Sequence, residues 1–539
     1  MEVILLLDLL IQNGIIVDGT GREPYKGNIG ILNGKIEVII AEEDSSSSIE
    51  AANFLDARGH VVCPGFIDMH SHSDLQIFLD SPSDAKVRQG ITTELLGQDG
   101  LGPAPVNKDS LNTIKGLLAG LDGMLPDEKW TWQTFSDYLN AIESSELFSN
   151  VAVLLCQGPI RIEAMGMEER QPTSQELEKM KSLICEGMEA GAFGLSSGLI
   201  YPPCAYADTN ELIELNKKVA YFKGVYVVHQ RDEGYHLLRS FDEVTKIAQQ
   251  SGVALEISHL QAYGRINWPL MDEVLAKADQ LIKMGLPISW DRYPYIAGCT
   301  VLTAVLPTWT FSEGTEALIR NLKRKDFRAK IHEDFTKGLE VWHNRQISVG
   351  WENIIVTAVQ LPGNKWMEGK SCQEIADILE KDPIDMVMDL LAEERLGVTM
   401  ISFYGSEDIL DKVITHPQGT VGTDGIFGGK PHPRLYGTYP RYFRTFVRDK
   451  KRLTLSDAVR KVTSYPASIL GINNRGIIRE GYWADLVVFD PETISDRASY
   501  ENPVVYPVGI DAVLVNGIMA VDENGCTGNR PGMLLRHKK

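Results

Sequence analysis

The stretch PGFIDMHSHSD, residues 64–74, closes an apolar run with two histidines, His70 and His72, set two residues apart. Alternate residues of a strand share a face, so both imidazoles point the same way. Further along, short apolar runs are each followed by a longer helical stretch, which is the rhythm of a parallel β/α fold. Counting from the quoted one, they lie at 61–68, 92–97, 151–157, 192–196, 225–229, 255–259, 287–293 and 419–424. Eight runs predict an α/β chain built as a (β/α)8 TIM-type barrel, a fold that keeps its chemistry at the C-terminal ends of its strands. His70 and His72 stand at such an end.

Working outward, residues 1–60 read as short β segments broken by turns, with an acidic Ser-rich break in EEDSSSSIE, and β character returns over 473–539 in GIIREGYWADLVVFD and IDAVLVNGIMAVDENG. Each piece alone has too few strands to bury a face, so the two are expected to form one small β-sandwich. Residues 61–472 are then the barrel, and the segment at about 296–418, between the seventh and eighth runs, is far longer than a connection needs and reads as a lid-like insertion. TLSDAVRKVTSYPASILG, which follows the eighth run, reads as helix.

Two facing histidines make half a metal site. His229 ends the fifth run in VYVVHQRDEG, His259 ends the sixth in ALEISHLQ, and Asp424 ends the eighth in GTVGTDG, all at the same rim. A carboxylate there can bind metal or move protons for a metal-bound water. Asp68 is a candidate to hold an imidazole tautomer, and Glu94 is a weaker candidate ligand from the second run.

Composition narrows the function classes. The 539 residues carry 53 basic and 73 acidic side chains, a net charge of -20, so no basic surplus is available to displace counterions from nucleic acid. The start, to Leu10, is apolar but short, carries Glu2 and Asp8 and lacks a basic lead and a small-residue cleavage site, so it reads as a first strand rather than a signal peptide or membrane span. Seven scattered cysteines with no CxxC spacing argue against a disulfide framework. A cytoplasmic location and a small-molecule substrate are the expectation; the oligomeric state, monomer or homo-oligomer, is left open.

The chain resembles the N-acyl-D-amino-acid deacylases (D-aminoacylases) of the amidohydrolase superfamily. The resemblance is carried, in order, by DLLIQNGIIVDGTG, DARGHVVCPGFIDMHSHSD, TTELLGQDGLGPAPV, GAFGLSSGLIYPPCAYADTNEL, HQRDEG, ISHLQ, DRYPY, GTDG, PHPRLYGTYPR and GYWADLVVFDP. It implies metal ligation by His70, His72, His229 and His259, with one or two divalent ions of zinc type, and Asp424 as both a metal ligand and the catalytic carboxylate. Relatives carry a ligand cysteine in a Gly-Asn-Cys-Gly turn, where this chain has Gly97-Gln98-Asp99-Gly100, so Asp99 stands in place of a thiolate and moves the preference away from strongly zinc-favouring ligation. The implied reaction is hydrolysis of an N-acyl-D-amino acid to a carboxylate and a free D-amino acid: a divalent ion makes hydroxide available near neutral pH, and Asp424 takes the proton and passes it to the leaving amine.

A substrate carboxylate calls for a guanidinium fork, for which Arg231 and Arg434 are the candidates. Relatives use tyrosines in the regions matching Tyr201 and Tyr293 or Tyr295. Some have a lysine two residues after the sixth-strand histidine, where this chain has Gln261. The alternative reading is a cyclic amide hydrolase of dihydropyrimidinase or dihydroorotase type, or another deacylase of the superfamily. The cyclic amide hydrolases need a metal-bridging lysine at the fourth strand, and GAFGLSSG offers none.

Overall fold

The computed structural model describes residues 6–41, 50–79, 83–339 and 342–538. Ahead of Gly65, β1 (Leu9–Ile16), β2 (Tyr25–Leu32) and β3 (Lys35–Ala41) form an antiparallel meander, and β4 (Phe54–Asp56) and β5 (Val61–Pro64) pair with β1 in parallel. Residues 1–5 of the apolar start and residues 42–49 of the Ser-rich break lie outside the described residues.

The run read as one strand over 61–68 divides at Gly65. β5 stays in the terminal sheet, and β6 (Phe66–Asp68) begins the barrel. A Cβ at position 65 would lie 2.1 Å from Thr92 Oγ1, so a residue without one is needed where the chain crosses beside the second barrel strand.

The barrel strands continue with β7 (Ile91–Leu96), β8 (Asn150–Val153), β9 (Leu155–Cys156), β10 (Gly194–Gly198), β11 (Val225–His229), β12 (Ala254–Ile257) and β13 (Ile288–Trp290). They pair in parallel and in chain order within two sets, β6 to β8 and β9 to β13. Helices Ser174–Ala190, Thr209–Tyr221, Leu237–Ser251 and Leu270–Lys283 alternate with the later strands, so the strands are buried on both faces and read as continuous apolar runs. The first of these helices starts at a reciprocal capping box between Thr173 and Glu176. The architecture is a TIM-barrel-like α/β fold.

The eighth run, 419–424, forms isolated bridges rather than a regular strand: Gly419 pairs in parallel with Trp290, and Gly425 with Ser71. Its glycines bring the backbone close to the first strand's exit, since a Cβ at Gly422 would sit 2.6 Å from His70 Cβ. Asp424 N donates to His70 O at 2.8 Å.

The insertion holds a three-stranded antiparallel sheet of β14 (Ala297–Val301), β15 (Ile354–Ala358) and β16 (Thr399–Phe403), with β16 central, and helices Cys372–Leu379 and Pro383–Glu393. The helix read over 454–471 is two, Leu455–Val462 and Ser464–Leu470, broken at Thr463. Pro466 falls in the first turn of the second, where its missing N–H costs no helical bond.

Strands β17 (Leu486–Phe489), β18 (Ile510–Val515), β19 (Ile518–Asp522) and β20 (Gly525–Cys526) join the terminal sheet through β17 and β5, making nine strands in all. Alternation assigns its two faces. Val62, Leu486, Val488, Ala512 and Leu514 pack with Ile16, Ile29 and Ile31, while Val61, Cys63, Val487, Phe489, Val513 and Val515 pack against Phe66, Tyr439 and Phe443 of the barrel. The end of the chain leaves this sheet: Pro531 and Leu534 bridge to Leu147 and Val151 beside β8. Among the described residues, no helix is long and apolar enough to cross a membrane.

Candidate active site

His70 and His72 flank the bridge residue Ser71, and their rings lie 5.2 Å apart between centroids. His229 closes β11, His259 follows β12 by two residues, and Asp99 follows β7 by three. These residues and Asp424 are all buried at one mouth of the barrel. Asp99, His259 and Asp424 hold φ values of +57°, +34° and +46°. Each such backbone costs about 1–3 kcal/mol, and strain of this kind gathers where geometry serves function.

Asp99 is the centre of the cluster. Its Oδ1 lies 3.8 Å from His70 Nε2, 3.7 Å from His229 Nδ1 and 3.9 Å from His259 Nε2, and its Oδ2 lies 3.8 Å from His72 Nε2. Asp424 Oδ1 is 3.8 Å from His70 Nε2 and 3.3 Å from His72 Nε2. Most of these separations are too long for hydrogen bonds, yet two donors each about 2.1 Å from one tetrahedral ion stand roughly 3.4 Å apart. His70 Nε2, His72 Nε2, His229 Nδ1 and Asp99 Oδ1 are buried without a hydrogen-bond partner. Unpartnered buried polar atoms converging on one point fit a cation, which would satisfy all of them together. The triples His70–Asp99–His259 and His70–His72–Asp424 each bring their ligand atoms close enough to share an ion.

The field at this point is negative. Burial acts to lower the His70 imidazole, but Asp424, Asp291 and Asp99 outweigh it and push it up to about 10. A group of carboxylates that favours positive charge so strongly suits a divalent ion. His229, with burial dominant, is held down at about 4 and so is neutral, as a ligand must be.

A carboxylate stands behind each imidazole, within hydrogen-bond reach for His70 and His259 and farther off for His229 and His72. Asp291 Oδ2 lies 3.4 Å from His70 Nδ1, Glu233 Oε1 lies 3.0 Å from His259 Nδ1, Glu233 Oε2 lies 3.6 Å from His229 Nε2, and Asp122 Oδ1 lies 3.9 Å from His72 Nδ1. Asp68 does not have the role expected of it. Its carboxylate accepts from Thr423 N, from Thr423 Oγ1 and from Lys86 Nζ, each at 2.7 Å, and so ties the first strand to the eighth run instead of touching a ring. Glu94 faces away as well, accepting from Ser71, Ser73 and Ser149.

A narrow cavity of about 30 Å³ opens over the cluster. The barrel lines its floor, and the insertion roofs it with Thr300, Arg345, Met400, Ser402 and Tyr404. Tyr201 and Tyr293 line it as well, with the Tyr201 hydroxyl 2.7 Å from Thr300 Oγ1 and the Tyr293 hydroxyl 2.5 Å from that of Tyr404. Arg434 reaches the site but turns to Asp424, 2.7 Å from its Oδ1, and to Cys299 O. Tyr295 turns its hydroxyl to Pro433 O.

Arg231 is a correction. Its guanidinium is engaged by Glu243 and by the carbonyls of Ala205 and Ala207, and it lines a different cleft. Its side chain follows a strand-end histidine by two residues, but the loop ahead of the helix starting at Thr209 supplies acceptors that hold it outside the mouth. Sequence reasoning did not single out Asp291, Glu233, Arg345 or Tyr404. Two motifs of the resemblance carried a signal: DRYPY contains Asp291, and HQRDEG contains Glu233.

Residues 53–521 match the model of the amidohydrolase family, and the chain belongs to that family. Within it the chain groups with the N-acyl-D-amino-acid deacylases. It is 31% identical over 532 residues to N-acyl-D-glutamate deacylase of Alcaligenes xylosoxydans xylosoxydans, across 98% of this chain and 96% of that one. To D-aminoacylase of the same organism it is 29% identical over 536 residues, across 98% and 97%. The crystal structure of N-acyl-D-glutamate deacylase from Bordetella bronchiseptica, complexed with zinc and a phosphonate inhibitor that mimics the reaction's tetrahedral intermediate, matches with a TM-score of 0.84 at 30% identity, covering 99% of this chain and 100% of that one.

Proposed function

We propose that this chain is a metal-dependent hydrolase of the linear amide bond of N-acyl-D-amino acids, releasing a carboxylate and a free D-amino acid. The observation that carries the reading is the Asp99 carboxylate within 3.7–3.9 Å of four imidazole nitrogens, with Asp424 beside two of them. His70, His72, His229, His259 and Asp99 are the proposed ligands, with Asp424 adjoining, for one or two divalent ions; the zinc in the Bordetella enzyme supports zinc as the ion. The preference for the D-enantiomer is supported by the activities for which the relatives are named.

The ion, when bound, lowers the pKa of a ligated water and polarises the amide oxygen. Asp424 takes the proton of the attacking water and delivers it to the leaving nitrogen, and Arg434 keeps that carboxylate ionised beforehand. Asp291 and Glu233 hold the rings of His70 and His259 in one tautomer. Tyr201 and Tyr293, with the insertion's roof, position the substrate and exclude water.

The same proposal takes residues 419–424 as the eighth position closing the barrel, supported by the bridges to Trp290 and Ser71. It takes the nine-stranded terminal sheet as a rolled sandwich, supported by the shared core of β1, β2, β17 and β18. The barrel unit then runs from Gly65 to about residue 472, with 296–418 as its lid, and the terminal pieces make the companion unit. A cytoplasmic location is supported by seven cysteines that are all free.

The test is an assay of the purified, metal-analysed protein on paired N-acetyl-D- and N-acetyl-L-amino acids beside hydantoin and dihydroorotate, before and after chelation. Hydrolysis of the D-amides alone, lost on chelation and restored by a divalent ion, is expected. Cleavage of only the cyclic amides would overturn the proposal, and equal use of both enantiomers would remove its D-specific part.

A further inference from the structure

We infer that Lys86 is a positioning residue of the metal centre, one that sets the distance between the His70–His72 pair and Asp424; the inference rests on the metal-dependent part of the proposed function. Asp424 needs such a hold. The other ligand candidates close or follow regular strands, whose ladders fix where they end, but residues 419–424 reach the barrel through isolated bridges, and Asp424 itself stands at φ +46°.

Lys86 is buried just ahead of β7. An ammonium carries three N–H donors, and this one spends them on three different segments. Nζ donates to Asp68 Oδ2 in β6 at 2.7 Å, to Ser71 Oγ, between the two histidines, at 2.9 Å, and to Oγ1 of Thr423, the residue ahead of Asp424. The acceptors are tied to one another. Asp68 Oδ1 accepts from Thr423 N and its Oδ2 from Thr423 Oγ1, both at 2.7 Å. Ser71 and Ser73, the chain neighbours of His72, both donate to Glu94 Oε2 at 2.7 Å, and that oxygen lies 4.0 Å from Lys86 Nζ. Among the ligand triples of the described residues, His70–His72–Asp424 is the one whose members all border this knot.

Stability alone explains the arrangement poorly. A buried ion pair loses much of its Coulomb gain to desolvation, and apolar packing of the same volume would serve a fold as well or better. What charge-assisted bonds add is direction, and a site whose donors must stand within about 0.5 Å of their places requires it. Lys86 is set back from the cavity over the cluster, in a polar chamber with Ser73, Glu94 and Ser149, so it acts through the residues it holds.

The test compares full-length wild type with Lys86→Met, Thr423→Val, the two combined, and Thr423→Ser. Zinc affinity is measured by titration against a chromophoric chelator, kcat and KM on the best N-acetyl-D-amino acid at saturating zinc, and thermal unfolding without metal. Lys86→Met and Thr423→Val should each weaken zinc about 10- to 100-fold, the range for partners behind metal ligands. The double variant should be no worse than Lys86→Met, because both changes cut the same tie, and Thr423→Ser, which keeps the hydroxyl, should bind as wild type does. At saturating zinc, kcat of Lys86→Met should fall about tenfold or more with KM unchanged, as misplaced reacting groups require. Wild-type zinc affinity in Lys86→Met, whatever its melting temperature, would overturn the inference, as would additive losses in the double variant or an effect confined to KM. If Lys86→Met does not fold, the Thr423 pair decides: weakening in Thr423→Val but not in Thr423→Ser supports the tie, and equal affinity in the two overturns it. A wild type that binds zinc but cleaves no N-acetyl-D-amino acid sinks the deacylase reading alone, and the affinity comparison still decides; one that binds no zinc sinks both.

Discussion

Arg434 Nη2 stands 2.7 Å from Asp424 Oδ1, and both side chains are buried. Burial acts to raise the Asp424 carboxyl, but Arg434 foremost, and then His70 and His72, outweigh it and hold the group well below the usual carboxylate range. An acid depressed in this way is ionised, and ready to accept a proton, across the whole neutral range. Arg434→Met removes the strongest of the lowering influences, so the carboxyl titrates higher and the ionised form is lost earlier as pH falls. The acid limb of the kcat/KM profile should move up by about 1–2 units, while the alkaline side keeps its position. A pH profile of the variant checks this, and an unmoved acid limb would mean that some other group takes the proton.

Asp291 lies 3.4 Å from His70 Nδ1, which leaves Nε2 as the nitrogen facing Asp99 and Asp424. Asp291→Ala frees the ring to turn and removes a charge that makes the imidazole more basic. Partners of this kind are worth about 10- to 100-fold in metal affinity. Dialysis against a competing chelator should show a loss of that size, with circular dichroism unchanged. Wild-type affinity in the variant would reduce Asp291 to a packing residue.

The positions of His70, His72, His229, His259 and Asp424 were legible because each ends an apolar run, and in a parallel barrel the run ends meet at one rim. The division at Gly65 was not, because apolar residues continue across it and only the pairing of Val61–Pro64 with Leu486–Phe489 separates the two sheets. Arg231 and Arg345 mark the limit of local reading. Both are arginines in loops, and what distinguishes them is long-range: Glu243 and two carbonyls occupy the first, while the second is brought over the mouth by an insertion whose path no local pattern encodes. Asp68 was misread for a similar reason, since Lys86 and Thr423, which claim it, lie 18 and 355 residues away.

Lys461 is buried in the helix Leu455–Val462 and donates to His416 O. Burial, aided by Arg460, pulls its ammonium down to about 7, and Asp457 offsets little of that. In the unfolded chain a lysine titrates near 10.4. Between these values the unfolded state holds the extra proton, so stability rises with pH; the penalty is complete below about 7 and gone above about 10. Relative to Lys461→Met, the wild type should therefore gain about 2 kcal/mol or more in urea unfolding between pH 6.5 and 9.5. Groups common to both proteins cancel in the difference, so a flat difference would mean that the amine stays charged in the fold.

Asp99 holds its carboxylate near all four imidazoles from a left-handed backbone at φ +57°, a conformation that aspartate tolerates better than most residues. Its oxygens are hard donors, acceptable to manganese or magnesium as well as to zinc, whereas a thiolate selects for zinc. Asp99→Cys should therefore raise the zinc-over-manganese selectivity of the bound metal by about tenfold, near 1.4 kcal/mol. Some thermal stability should be lost at the same time, because cysteine is less at ease with positive φ. Competitive dialysis against both ions, read by elemental analysis, measures the first effect, and thermal unfolding of the metal-loaded proteins measures the second. Since the substitution changes one donor atom and leaves every imidazole in place, unchanged selectivity would remove Asp99 from the coordination sphere and leave the histidines with Asp424 to hold a single ion.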